Sequence, residues 1–228
     1  MFRSGLGRRR NSVSFYTRCM AKSPVCGWKL EREARQLGFL RITGLDEVGR
    51  GPMFGPVVAA AVILPLGCRL PGLTDSKQLS EKQRLTFEAE IKAQAIAWSV
   101  SVIDVETIDR INIRQASLLA MRAALERLSL SPDYLLIDGT DAIDWPCPQQ
   151  SVVKGDSTSK SIAAASVLAK VHRDRLLVEL DAVYPGYGLA RHKGYCSPEH
   201  LEALARLGPT PLHRKSFAPV AQTLLPFD

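Results

Sequence analysis

A chain of 228 residues suits one ordinary domain with a small appendage and is too short for two large ones. Hydrophobic residues at 46% and charged residues at 23% exclude a disordered chain, and the longest apolar run, Val57 to Leu66 with Pro65 inside it, is far short of the roughly twenty residues a bilayer needs. The net charge of +7 lies in residues 1–30, where Arg3, Arg8, Arg9, Arg10, Arg18, Lys22 and Lys29 meet no acid. The other 23 basic residues balance 23 acidic ones, so a nucleic-acid reading of the charge rests on that tail alone and carries little weight.

In chain order, residues 1–38 read as a basic N-terminal extension. Its composition fits a transit peptide or a ragged basic tail; the tail is favoured, with Met20 as an alternative first residue. Leu30, Ala34, Leu37 and Leu40 fall at helical spacing from about Lys29. Apolar runs predict strands over 40–45 and 57–64, separated by a Gly- and Pro-rich loop from Asp46 to Pro52. A polar helix is predicted from about Ser80, its cap, to Gln94. Residues 97–105 alternate like a half-buried strand. Leu118, Met121, Leu125 and Leu128 mark an amphipathic helix over 113–128. Short strands are predicted at 133–138 and 151–153, then a long helix over 159–183 that opens with Ile162-Ala163-Ala164-Ala165, a face small enough to pack close to a sheet. This order fits a mixed α/β sheet with an antiparallel start better than a doubly wound parallel one. Residues 39–188 form the expected core, and 189–228 a helical C-terminal region and tail.

The five cysteines, at 19, 26, 68, 147 and 196, contain no CxxC and fit free thiols in a reducing cytoplasm. The four histidines form no HExxH, so zinc is not expected. No exposed heptad or large apolar surface calls for a dimer, and a monomer without a membrane partner is expected.

Three predicted strands end in acids: Asp46-Glu47, Asp138 and Asp156. One acid there is ordinary turn chemistry. Gathered together they would repel, by about 4 kcal/mol for a pair roughly 4 Å apart at an effective dielectric of about 20, unless a cation neutralises them. Ligands of carboxylate alone select hard ions, Mg2+ or Mn2+, as in a two-metal phosphodiesterase. Separate turn residues and helix caps are the alternative. Gly49-Arg50-Gly51 directly follows the first pair; it either lets backbone N–H groups approach a polyanion closely or forms a tight turn around a solvent-facing Arg. The spacing GxxxxGKS or GxxxxGKT is absent around Gly155–Lys160, which excludes the usual triphosphate-binding loop.

Gly44-Leu45-Asp46-Glu47-Val48-Gly49-Arg50-Gly51-Pro52, followed by Gly55-Pro56-Val57-Val58-Ala59-Ala60-Ala61-Val62, resembles the opening signature of the ribonuclease HII family. The resemblance continues through Asp75-Ser76-Lys77-Gln78-Leu79, Ile137-Asp138-Gly139, Lys154-Gly155-Asp156, the run Ile162 to Val171, Arg173-Asp174, Tyr187-Gly188, His192-Lys193-Gly194-Tyr195 and His213-Arg214-Lys215-Ser216-Phe217. It spans roughly residues 39 to 219. It implies an RNase H-like fold, a mixed five-stranded sheet flanked by helices with a small helical C-terminal region. The implied activity is endonucleolytic hydrolysis of RNA in RNA/DNA hybrids and nicking 5′ to ribonucleotides embedded in duplex DNA, leaving 3′-hydroxyl and 5′-phosphate ends. Another RNase H-like nuclease of the resolvase type, or a hybrid-binding module without turnover, is the alternative.

The resemblance further implies that Asp46, Glu47, Asp138 and Asp156 hold the divalent metals and that the backbone of Gly49, Arg50 and Gly51 reads the 2′-OH. Tyr195 would stack on the next sugar, and Lys77 and Lys193 would contact phosphates. Arg50, where ribonuclease HIII typically carries Lys, points to type HII, and the C-terminal region resembles the bacterial single-chain form. Gln222, Leu225 and Phe227 resemble peptides that dock on the sliding clamp; a tail packed back on its own domain is the other reading.

Overall fold

The computed structural model describes Met1 and residues 26–224. Helix α1 (Lys29–Gln36) opens the fold. Ala34 is buried and, with Leu30, packs on Ile42, Leu136 and Ile162, whereas Leu37 and Leu40 are 73% and 60% exposed, so only the first half of the expected apolar stripe helps to seat this helix. Its anchor is Glu31, whose buried carboxylate accepts from Ser159 Oγ at 2.6 Å and from the Ser161 amide at 2.9 Å. Gly27 also pairs with Ser159. Residues 27–36 are therefore docked on the core. Residues 2–25 fall outside those described.

Strand β1 (Ile42–Val48) runs three residues further than the sequence suggests. Asp46, Glu47 and Val48 are paired with Ala60, Ala59 and Val58 of β2 (Val57–Ile63), so the acids lie on a strand and the loop begins only at Gly49. The ready ladder of β2 holds them there, since backbone groups at this depth need partners. After a short 3-10 turn at Ser76–Gln78 comes α2 (Glu81–Gln94). Its capping box is complete: Ser80 accepts from the Gln83 amide, and the Gln83 side chain accepts from the Ser80 amide.

Strand β3 (Ala97–Ile103) alternates as expected, with its polar side inward. Trp98 and Val102 are exposed. Ser99 and Ser101 are buried and donate to the Ala124 and Ala120 carbonyls, at 2.6 and 2.5 Å. The strand stops at Ile103 because Asp104 caps a helix that the sequence reading missed, α3 (Val105–Ile111), by accepting from the Thr107 amide at 2.7 Å. Asn112, at φ 68°, then turns the chain and caps α4 (Ile113–Glu126).

Strands β4 (Tyr134–Asp138) and β5 (Gln149–Val152) complete the sheet in the order β3-β2-β1-β4-β5. The first three strands are antiparallel, and β1, β4 and β5 are parallel. A 3-10 turn at Gly155–Ser157 leads into the long helix α5 (Lys160–Val183), capped by Ser159. The C-terminal region carries α6 (Leu189–His192), α7 (Pro198–Leu207) and α8 (Ala218–Thr223).

Both sheet faces are covered, which explains why β2 is apolar throughout. Val58, Ala60 and Val62 pack with Ala163, Ala164, Val167 and Leu168 of α5 and with Phe87 and Ile91 of α2. Val57, Ala59 and Ala61 pack with Ala116, Ala120, Met121 and Ala124 of α4. The small-residue face of α5 matches Gly44 of β1, where an added Cβ would stand 2.1 Å from the Ser161 carbonyl carbon. Among the described residues, no helix is long and apolar enough to cross a membrane.

Candidate active site

The topology gathers the acids. Leu45 is in parallel register with Ile137, so Asp46 and Asp138 are the next residues on neighbouring central strands. Asp156 follows β5 in its 3-10 turn, and its carboxyl interacts with that of Asp138. Asp46 is 6% exposed. Burial above all, then the charges of Glu47, Asp138 and Asp156, hold its carboxyl well above the usual range, opposed by the nearby Ser166 hydroxyl. Burial also raises Glu47, opposed by Arg50, whose Nη1 donates to Glu47 Oε1 at 3.2 Å. Asp156 is pushed up to about 6, by burial first and then by Asp138 and Asp75, while Lys77 pulls the other way.

Among the described residues, no three His, Cys, Asp or Glu side chains converge as placed on one metal-sized point. Each carboxylate is turned to a nearer donor. Asp46 Oδ1 accepts from the Glu47 amide and Asp138 Oδ1 from the Gly155 amide, both at 2.7 Å. The donor set still fits a hard divalent cation: it is carboxylate throughout and mutually repulsive. Besides Arg50 at Glu47, Lys77 faces this cluster. Burial pulls its ammonium down, but Asp75, Asp156, Asp46 and Asp138 together outweigh that and raise it.

The loop after β1 lies beside the acids. Gly49 sits at φ 100°, a conformation suited to glycine, and a Cβ there would strike Arg173 Nε at 2.5 Å. A Cβ on Gly51 would lie 3.5 Å from Tyr195 Cε1. Tyr195 is 45% exposed, so it presents an open aromatic face next to Gly51 instead of filling the core. Lys193 lines a cleft of about 270 Å³ between α2 and α5, with Arg84, Asp174 and Arg175. Gln222 is in α8, while Leu225 and Phe227 fall outside the described residues.

The sequence reading gave no role to Asp75, although it caps the turn that carries Lys77 by accepting from the Lys77 amide at 2.9 Å and also faces Asp156. Its position just before Ser76-Lys77 was the available signal. Ser166, whose hydroxyl lies near Asp46 and 2.9 Å from Ser76 Oγ, was hidden in an apolar helical run.

A mixed sheet in this order, with acids at the ends of its central strands, defines a nuclease of the RNase H-like class. The model of the family "Ribonuclease HII" matches residues 43–220. The chain is 54% identical to ribonuclease HII of Geobacter sulfurreducens over 86% of this chain and 91% of that protein. Its fold is similar to that of RNase HII from Archaeoglobus fulgidus, solved in complex with PCNA, with TM-score 0.66 and 27% identity over 77% of this chain and 94% of that one. Bst RNase HIII, solved in complex with Mn2+, has the same fold with TM-score 0.66 and 24% identity over 84% of this chain and 71% of that one. The chain belongs to the ribonuclease HII family, and it is a ribonuclease H endonuclease, a hydrolase.

Proposed function

We propose that this enzyme hydrolyses the RNA strand of RNA/DNA hybrids and nicks 5′ to ribonucleotides embedded in duplex DNA, in the cytoplasm, using Mg2+ or Mn2+. Asp46, Glu47, Asp138 and Asp156 would hold the ions. When bound, divalent ions supply an activated water and charge neutralisation for in-line displacement, giving 3′-hydroxyl and 5′-phosphate ends. The observation that carries this reading is the buried Asp46 carboxyl, raised by burial and three acidic neighbours, on the strand that leads directly into the Gly49–Gly51 loop.

The chain's own groups do the selecting. N–H groups of Gly49, Arg50 and Gly51 donate to the 2′-OH, the group that separates RNA from DNA at a given position. Tyr195 stacks on the adjoining sugar, and its exposure beside Gly51 supports that role. Lys77 and Lys193 contact phosphates, which positions the duplex without reading it. The placement of Lys77 against the acids supports its part more strongly than the cleft supports that of Lys193.

The test is a duplex DNA with one ribonucleotide, incubated with Mg2+ or Mn2+. A nick 5′ to that residue is expected, and Asp138→Asn should abolish it while hybrid binding stays measurable. Wild-type turnover by Asp138→Asn contradicts the assignment. Clamp docking through Gln222, Leu225 and Phe227 is a separate part of the proposal, supported by the Archaeoglobus complex. It fails if a peptide of residues 218–228 shows no clamp binding at high micromolar concentration.

A further inference from the structure

The bulkiest side chains with no exposure at all are two arginines, Arg173 and Arg214. Among the described residues neither forms an ion pair with a carboxylate. A buried charge without a counter-ion is costly unless its donors are all satisfied. Here a backbone carbonyl accepts from every guanidinium nitrogen of both arginines. Arg214 donates from Nη2 to Gly49 O at 2.6 Å, from Nη1 to Arg50 O at 3.2 Å and from Nε to Gly55 O at 2.9 Å. Arg173 donates from Nη2 to Phe54 O at 3.0 Å, from Nε to Pro56 O at 3.1 Å and from Nη1 to Lys193 O at 2.9 Å.

A trans peptide is planar, so the C=O of one residue and the N–H of the next point in opposite directions. Drawing the Gly49 and Arg50 carbonyls inward therefore turns the Arg50 and Gly51 N–H groups outward. Among the described residues those two amides have no acceptor. Arg173 joins the same loop to the segment bearing Tyr195, since it holds Phe54, Pro56 and Lys193 at once. The Met53 amide adds a bond to Gly194 O at 3.0 Å.

We propose that Arg214, seconded by Arg173, is the positioning residue for ribonucleotide discrimination: it sets the plane of the loop whose free N–H groups meet the 2′-hydroxyl. This rests on the assignment of 2′-OH reading to Gly49–Gly51. Only the rigid guanidinium fork reaches several carbonyls together; a lysine ammonium keeps the charge but is a point donor on a flexible stem.

The test is Arg214→Lys. Equilibrium binding is measured, with Ca2+ in place of the active metal, to a duplex with one ribonucleotide and to the same duplex in all-DNA form. The wild type is expected to favour the ribonucleotide duplex at least tenfold. Arg214→Lys is expected to lose at least fivefold of that ratio while its affinity for the all-DNA duplex changes less than twofold. A cooperatively melting Arg214→Lys protein that keeps the ratio within twofold overturns the proposal and leaves Arg214 a packing group. Should that variant not melt cooperatively, Arg173→Lys takes its place with the same expected fall and the same overturning result. A wild type without preference refutes the 2′-OH reading itself, and this inference with it.

Discussion

Asp156→Asn should make the metal-free protein more stable and a poorer metal binder. Asp156 is 6% exposed, and burial, then Asp138 and Asp75, raise its carboxyl from 3.8 to about 6. The folded state thus holds this proton more tightly than the unfolded chain. The resulting stabilisation is full below about pH 4 and is lost as pH rises through about 6. A rise of that size corresponds to about 3 kcal/mol. Water at the open strand ends screens part of this, which leaves about 1–2 kcal/mol. For a chain of this size that is about 2–8 °C in melting temperature. Scanning calorimetry in EDTA should show Asp156→Asn melting above wild type by that amount at pH 8 and level with it at pH 4. Titration with Mn2+ should show weaker binding by the variant. A variant that melts below wild type at pH 8, or differs equally at both pH values, would refute the reasoning.

Gly44→Ala places a methyl 2.1 Å from the Ser161 carbonyl carbon, in backbone that no rotamer change can clear. Overpacking of this kind costs typically 1–3 kcal/mol and more where backbone must move, so a loss of at least about 3 kcal/mol is expected in urea unfolding; a midpoint equal to wild type would contradict the close packing of α5 on β1. His200 and His213 lie 3.2 Å apart through Nε2, and burial holds both down at about 4. Stability from keeping them neutral is present above pH 6.5 and lost as pH falls toward 4, so His200→Gln should show a shallower decline of urea midpoint over that window, and an unchanged slope would remove the histidine pair as its cause.

The elements legible in the sequence were those whose periodicity or caps are local. The capping box at Ser80 and Gln83, and Ser159 ahead of Ile162-Ala163-Ala164-Ala165, placed α2 and α5 within a residue. What escaped depended on distant partners. Asp46 and Glu47 read as loop because Gly49 and Pro52 are near in sequence, whereas Val58–Ala60, which keep them on a strand, become neighbours only on folding. Helix α3 was missed, its first residue taken into β3, because Val105 reads as more strand although Asp104 ends it. The face of β3 was invisible for a similar reason: Ser99 and Ser101 turn inward because α4 offers carbonyls. In the candidate site, the acids and the glycine loop announce themselves by residue type. Arg173 and Arg214 do not, since a buried arginine held by carbonyls leaves no mark that distinguishes it from a surface one.

The seat of α1 bears on how the protein is handled. Glu31 and Gly27 fasten the incoming chain to Ser159 and Ser161, three and five residues past Asp156. An affinity tag or fusion partner joined just ahead of Cys26 is therefore delivered to the flank of the candidate site. Kinetics from enzyme shortened to that point and tagged there would report the tag along with the enzyme.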